Sequence, residues 1–221
     1  MFKFVALIPA RGGSKGIKNK NLKEINGSSL TEMAIKTAIK SKIFYKIILS
    51  SDSKNILKEG KKYPITLHLR QKSIAGDSSH ISETIHEIKK EFDLKTNYYL
   101  IILEPTSPLR IATDIKNAYK AIVKNRYDSI CSFTDALLNP YRSWSYKDNK
   151  LKPFLLKDKN IWVNRQKFSN YYQAIGNVIG VNLNKYKHEI LFGKKGYLFI
   201  KKSRAIDIDD IEDFKIVRKM I

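Results

Sequence analysis

Residues 4–21 read FVALIPARGGSKGIKNKN, and this stretch decides the fold. Phe4 to Pro9 is a short apolar run that stops at a glycine-rich turn, the mark of a buried strand. Gly12, Gly13 and Gly16 fall within five positions, so the backbone can bend sharply and turn its N–H groups inward. Arg11, Lys15 and Lys20 add three positive charges around that turn. A strand ending in such a loop makes a cradle for a triphosphate. Neither GxxxxGK[ST] nor GxGxxG fits the spacing, so this is not a P-loop or a dinucleotide fingerprint.

Outward from the cradle, the chain alternates between two periods. Ser29-Leu30-Thr31-Glu32 is a capping box, followed by Leu30, Met33, Ala34 and Ala38 at helical spacing. Strands are expected at Lys46–Ser50, Ile65–Leu69, Tyr98–Leu103 and Ser129–Phe133, with helices at Ser82–Phe92 and Thr113–Val123. Near-continuous apolar strands alternating with helices predict an α/β fold: a Rossmann-like, mostly parallel sheet with helices on both faces. Ligands of such sheets bind beyond the carboxyl ends of the strands. From Asn139 to Tyr172 the period is lost among aromatics, Asn, Lys and Pro. That stretch is too long for a simple loop and reads as a lid, an arm or a dimer element. Strands resume at Val178–Val181 and Tyr197–Ile200, and a last helix spans about Ile211–Ile221.

Length and composition set the bounds. A chain of 221 residues favours one domain over 1–221, with an arm at about 139–175. An apolar fraction of 43% argues against disorder. No apolar run approaches the ~20 residues of a membrane span, and the N-terminus lacks a cleavage-site pattern, so a cytoplasmic protein with no membrane partner is expected. The single cysteine, Cys131, excludes an internal disulfide and a cysteine-cluster metal site. Forty-two Lys and Arg against 21 Asp and Glu give +21, a field that favours anionic partners. The Lys residues are dispersed, with no Arg-rich block and no aromatic–basic RNA motif, so nucleic acid is not an expected partner.

Two further segments carry chemistry. Residues 205–214 read AIDIDDIEDF. In extended backbone Asp207 and Asp209 point the same way, and two convergent carboxylates suit Mg²⁺, which prefers oxygen ligands and keeps substrate phosphates. Asp210, Glu212 and Asp213 suit the start of the last helix. The other segment, EPTSPLR at 104–110, offers two prolines, two hydroxyls and a guanidinium at a strand end. The polar stretch Arg70–Ser82 falls at the same sheet edge and could hold a base or ribose. His68, His80, His86 and His188 match no metal or triad spacing and read as surface or supporting residues.

Taken together and in order, these segments resemble the acylneuraminate cytidylyltransferases, the CMP-sialic acid synthetase family. IPARGGSKGIKNKN resembles the nucleotide loop. SSDS (50–53), LRQKSIAGDSS (69–79), EPTSPLR, NRQ (164–166) and AIDIDDIEDF resemble the family's later motifs. The resemblance implies a nucleotidyltransferase fold and transfer of CMP from CTP to the anomeric hydroxyl of a nine-carbon acidic sugar. Pyrophosphate leaves, and an activated CMP-sugar forms for surface glycan synthesis. It implies that Ala10, Arg11, Gly12, Gly13, Ser14 and Lys15 bind the nucleotide, with Arg11, Ser14 and Lys15 on phosphates. Asn21 is implied on the ribose, and Arg70 with Ser79 on cytosine. Arg11, Lys20 and Asp209 are the implied catalytic residues, and Asp207 and Asp209 the Mg²⁺ ligands. Glu104, Thr106, Ser107, Arg165 and Tyr172 are implied on the sugar, with Arg165 on its carboxylate. The arm implies a homodimer.

Two departures bear on the substrate. Sialic-acid members usually have Gln where this chain has Glu104, and a carboxylate there would repel an anionic sugar by on the order of 1 to 4 kcal/mol. Glu104 is therefore expected either to pair with a lysine or to face an amine or hydroxyl of another sugar. Ile175, in YQAIGN (172–177), replaces a polar sugar contact. Both favour a legionaminic-, pseudaminic- or related nonulosonic acid over N-acetylneuraminate. A KDO-type acid, or a non-catalytic nucleotide- or sugar-binding relative, is the alternative.

Overall fold

The computed structural model describes residues 2–14, 16–76, 79–94, 97–155 and 170–221. Its strands in chain order are β1 (Lys3–Pro9), β2 (Glu24–Ile25), β3 (Ser28–Ser29), β4 (Lys46–Ser51), β5 (Thr66–Leu69) and β6 (Tyr98–Ile102). They continue with β7 (Ser129–Asp135), β8 (Trp144–Lys147), β9 (Lys150–Pro153), β10 (Tyr172–Asn182) and β11 (Lys195–Phe199). The α-helices are α1 (Leu30–Ser41), α2 (Lys54–Gly60), α3 (Ile81–Glu91), α4 (Ala112–Asn125) and α5 (Ile211–Met220).

Seven strands form one sheet in the order β11-β7-β10-β6-β1-β4-β5. The ladders β1–β4, β1–β6, β4–β5 and β7–β11 are parallel; β10 alone runs antiparallel, between β6 and β7. The mostly parallel α/β sheet expected from the sequence is therefore present. An apolar run says that a strand is buried but not which way it points, so the reversal of β10 was not legible.

Both faces are covered. Phe4, Ala6 and Ile8 of β1 join α1, α2 and α4 in one cluster, while Val5 and Leu7 pack against Ile85 and Ile88 of α3 in another. Side chains alternate across a strand, so a strand buried on both faces must be apolar at successive positions, as Phe4 to Ile8 of β1 are. The capping box of α1 forms as expected: Ser29 Oγ accepts from Glu32 N–H, and Glu32 Oε2 accepts from Ser29 N–H, each at 3.1 Å. The α2 helix was not anticipated, because seven residues rich in Lys give little periodicity; only Ile56, Leu57 and Gly60 are buried. In the arm, the expected break in period contains a hairpin, β8–β9, whose residues are exposed except for the half-buried Pro153. Among the described residues, no helix is long and apolar enough to cross a membrane.

Strand order reverses between β1 and β6. From β1 the chain proceeds outward to β4 and β5, then returns to β6 on the other side. The carboxyl ends of β1 and β6 flank a crevice at that switch point, where open α/β sheets bind their ligands.

Candidate active site

The crevice is a cleft of about 380 Å³. Pro9, Arg11, Ser14, Gly16, Lys20 and Asn21 line the β1 side, and Glu104, Pro105 and Thr106 the β6 side. Asp207 and Asp209 complete it, and Arg70 opens it into an extension of about 240 Å³ lined by Gly76, Ser79 and Thr84.

Backbone contacts weld these segments together. Ala10 N–H donates to Ser50 O at 2.9 Å, continuing the ladder past β1. Gly12 N–H donates to Asp52 Oδ1 at 2.8 Å. Asn21 Nδ2 donates to Arg11 O at 2.9 Å, and Thr31 Oγ1 to Asn21 O at 2.8 Å. Asn21 borders the cleft, and its Oδ1 is buried without a hydrogen-bond partner. Arg11 Nη1 reaches Gly76 O at 3.4 Å and so links the cleft to its extension.

The acidic segment is pinned from both sides. Ile208 N–H donates to Thr106 O at 2.8 Å, and Lys20 Nζ donates to Ile208 O at 2.6 Å. The Ile208 side chain is fully buried among Ile17, Ile25, Leu30, Phe214 and Val217. With Ile208 turned inward, the pleat turns Asp207 and Asp209 the other way, into the cleft, as the alternation predicts. Lys20 Nζ also lies 3.5 Å from Asp209 Oδ1. The loop passes so close to Asp209 that a Cβ at Gly16 would come within 2.2 Å of its carbonyl oxygen. Asp210 caps α5 by accepting from Glu212 and Asp213 N–H, and Asp213 returns a bond to Asp210 N–H. Neither contributes to the cleft lining.

Burial raises the Asp207 pKa above the ordinary carboxylate value; the Thr106 hydroxyl opposes this, and nearby Asp209 adds to it. Asp207 Oδ1 is buried with no hydrogen-bond partner. A carboxylate oxygen held so is costly unless a cation arrives. The pair Asp207 and Asp209, all oxygen and lining the same cleft as Arg11 and Lys20, fits Mg²⁺ shared with an anionic ligand. Among the described residues no cluster of three or more His, Cys, Asp or Glu could hold a metal unaided.

Glu104 corrects one expectation. It makes no ion pair with a lysine among the described residues. Burial first, and Asp207 second, push its pKa up to about 7, with Arg110 opposing. With its pKa near neutrality, Glu104 is only partly ionised there rather than a fixed carboxylate charge. Gly176 of β10 allows this packing, since a Cβ there would lie 1.9 Å from Glu104 Oε2. The two departures, Glu104 and the Ile175 neighbourhood, thus converge in space. Arg110, nearly fully buried, is a structural clamp. It donates to Glu104 O at 2.5 Å and to the Asn177 carbonyl, and burial lowers its pKa to about 10.

Other expected residues lie elsewhere. Ser107 is buried in the 104–110 turn and does not line the cleft; its N–H donates to Glu104 O at 3.2 Å. Tyr172 stacks obliquely on Phe199, 5.0 Å between centroids, in a separate depression with Thr134 and Lys201. Gly13 faces open space. Ser79 Oγ accepts from Gly76 N–H at 3.1 Å in the extension. Lys15 and Arg165, with Asn164 and Gln166, lie outside the described residues. Sequence reasoning missed Asp52, Ile208 and Gly176; the isolated Ile between two Asp was a signal for Ile208, whereas Asp52 and Gly176 act through contacts distant in sequence.

The family model described as cytidylyltransferase matches residues 5–214. Post-translational flagellin modification protein B of Campylobacter coli is 30% identical over 236 residues, covering 100% of this chain and 96% of that one. CMP-N,N'-diacetyllegionaminic acid synthase of Legionella pneumophila is 29% identical over 228 residues, covering 99% and 96%. The structure of a CMP:2-keto-3-deoxy-manno-octonic acid synthetase complexed with CTP superposes with a TM-score of 0.68 over 99% of this chain and 98% of that one, at 11% identity, which bears on fold alone. A cleft at the β1–β6 switch point, fed by a cationic glycine loop and closed by two aspartates, sits inside the matched span, and the chain belongs to the cytidylyltransferase family.

Proposed function

We propose that this protein transfers CMP from CTP to the anomeric hydroxyl of a nonulosonic acid, releasing pyrophosphate and forming a CMP-sugar. The observation that carries the reading is the meeting of opposite charges across one cleft: Arg11 and Lys20 on the β1 side, Asp207 and Asp209 facing them. Names of relatives similar along nearly their full length support the substrate class, one of them a legionaminic acid synthase.

The triphosphate lies along the loop, on Arg11, Ser14 and Lys15 and the backbone N–H groups. Asn21 holds the ribose. Arg70 and Ser79, in the extension, face cytosine. Mg²⁺ on Asp207 and Asp209 would supply charge neutralisation at the phosphates and acidify the attacking hydroxyl. The anomeric oxygen forms a bond to the α-phosphorus as the bond from that phosphorus to the bridging oxygen breaks. Pyrophosphate carries away the electron pair, and the hydroxyl proton passes to the Asp209 carboxylate. Lys20, held by Ile208 O and Asp209, is aligned beforehand to offset charge as it builds on the leaving group. Thr106 and Glu104, with Arg165 of the arm, hold the sugar. A partly protonated Glu104 donates a hydrogen bond much as a glutamine amide does, so the preference for a legionaminic- or pseudaminic-type acid over N-acetylneuraminate rests on Ile175 rather than on a charge at Glu104.

A second copy of the chain covers the arm. Leu137 and Leu138 just before the arm, and Trp144, Tyr146, Leu151 and Phe154 within it, are all exposed, more large apolar side chains than scattered surface residues account for.

The test is pyrophosphate release from CTP and Mg²⁺ with legionaminic, pseudaminic, N-acetylneuraminic and KDO acids, using ATP, GTP and UTP as nucleotide controls. Release with CTP and one of the first two sugars is expected. Turnover of N-acetylneuraminate well above those sugars would overturn the substrate preference. No release with any sugar, despite saturable CTP binding, would mean a non-catalytic relative.

A further inference from the structure

His68 is buried in β5 and lines neither the cleft nor its extension. Its Nδ1 lies 2.9 Å from Ser50 Oγ. Ser50 Oγ in turn accepts from Arg70 Nε at 3.2 Å, and Ser50 O accepts from Arg70 Nη2 at 2.9 Å. On its other side, His68 Nε2 lies 3.4 Å from Glu87 Oε2 and 3.3 Å from Glu91 Oε2, both on α3. The edge of Phe92 closes the remaining face, 6.1 Å between centroids.

Donor inventory fixes the direction of this chain. A guanidinium can only donate, so Ser50 Oγ accepts from Arg70. The hydroxyl proton is then free to go to His68 Nδ1, which leaves the Nε2 hydrogen facing the two carboxylates. His68 Nε2 and Glu87 Oε2 are both buried without a hydrogen-bond partner, so the two carboxylates bear on the ring by proximity and charge; which ring nitrogen carries the proton is set by what the other meets. Arg70 needs such support. It is 7% exposed, and burial lowers its pKa from the ordinary value, with Asp52 and Glu87 opposing. Its Nη1 has no hydrogen-bond partner among the described residues, while the side chain lines both the cleft and the extension.

We propose that His68, braced by Glu87 and Glu91, is a positioning residue that acts through Ser50 to hold the Arg70 guanidinium toward the nucleotide base. It rests on the reading that Arg70 faces cytosine. A group held in advance costs less to order when ligand arrives, so the brace serves base affinity rather than the phosphates.

The test is calorimetric titration of the full chain with CTP and, separately, with inorganic tripolyphosphate, which reads the phosphate cradle without a base. His68→Leu is expected to weaken CTP about tenfold and leave tripolyphosphate within about twofold. His68→Asn, which keeps a polar group near the Nδ1 position, should recover most of the loss. Ser50→Ala should reproduce the His68→Leu pattern and serves as the second variant if the leucine substitution does not fold. In an Arg70→Ala background, His68→Leu should add nothing. Equal losses for CTP and tripolyphosphate, additive losses with Arg70→Ala, or unchanged CTP affinity in both His68→Leu and Ser50→Ala would each overturn the proposal. If Arg70→Ala weakens CTP but His68→Leu does not, only the brace falls. If Arg70→Ala leaves CTP affinity unchanged, the reading of Arg70 falls and takes the brace with it.

Discussion

The cleft and the arm are built on opposite terms. Every segment of the cleft is tied to another by backbone atoms: Gly12 to Asp52, Asn21 to Arg11, Ile208 to both Thr106 and Lys20. The arm hairpin carries its large apolar side chains on the outside. A site that must stabilise developing charge gains from groups fixed before the reaction, because reorganising them during it would use up the stabilisation they supply. A surface that meets a partner needs exposed apolar area instead. The tied cleft and the exposed apolar hairpin thus occupy separate stretches of one chain, joined where β7 and β10 pair.

The largest effect should come from the rigid side. Asp209→Ala should lower turnover by about 10³-fold or more, with the melting temperature within a few degrees of the parent, since the side chain is 82% exposed. Near-full activity of that variant with Mg²⁺ would break the assignment of Asp209. Lys20→Ala should cost about 10²-fold in kcat with a smaller change in KM for CTP, measured by pyrophosphate release.

Ile208→Ala sharpens the contrast by testing the rivet rather than the charges. Removing a fully buried isoleucine should cost about 2–4 kcal/mol in chemical denaturation and reduce turnover, although no charged group is altered.

Glu104→Gln should have a smaller, pH-dependent effect. Unfolded, Glu104 loses its proton near the ordinary 4.5; folded, it retains it to about 7. Between those values the unfolded state binds fewer protons, so this group's contribution to stability falls as pH rises. In denaturation without divalent metal, the variant should gain on the parent across that window, by on the order of 1–3 kcal/mol, and level off above it. A constant difference from pH 4 to 8 would show that Glu104 ionises normally.

The smallest effect on stability is expected from the arm. If the parent is the dimer proposed above, Leu138→Asp combined with Phe154→Asp should turn it into a monomer in light scattering, while the sheet loses no more than about 1 kcal/mol. A monomeric parent at micromolar concentration would remove the arm's assigned purpose.

How far the sequence could be read follows the same division. The Arg11 loop and the Asp207–Asp209 pair were legible because each is local: glycine spacing, charge density and two-residue alternation are visible without a fold. The expected strands of the sheet were legible from apolar runs. Glu104 was recognised, but not its retained proton, because that depends on Gly176 and Asp207 arriving from more than seventy residues away. Tyr172 and Ser107 were expected at the sugar by motif order alone, and they lie outside the cleft lining because neighbours in sequence point to different faces. The arm gave only a loss of period, which marks an exception without describing it.

The placement of β10 has a consequence for the order in which the protein can be made. It fills the slot between β6 and β7, and Tyr172 pairs with Asp135 where the arm departs and returns. During synthesis β1, β4, β5 and β6 can assemble as they emerge, but β7 has no neighbour in that half-sheet until residue 182 is available. Until then one side of β6 and both sides of β7 are bare ladders, open to pairing with other nascent chains. A chain halted within the arm would be an adhesive fragment rather than a smaller enzyme, and the last third of translation is when this protein would depend most on a chaperone.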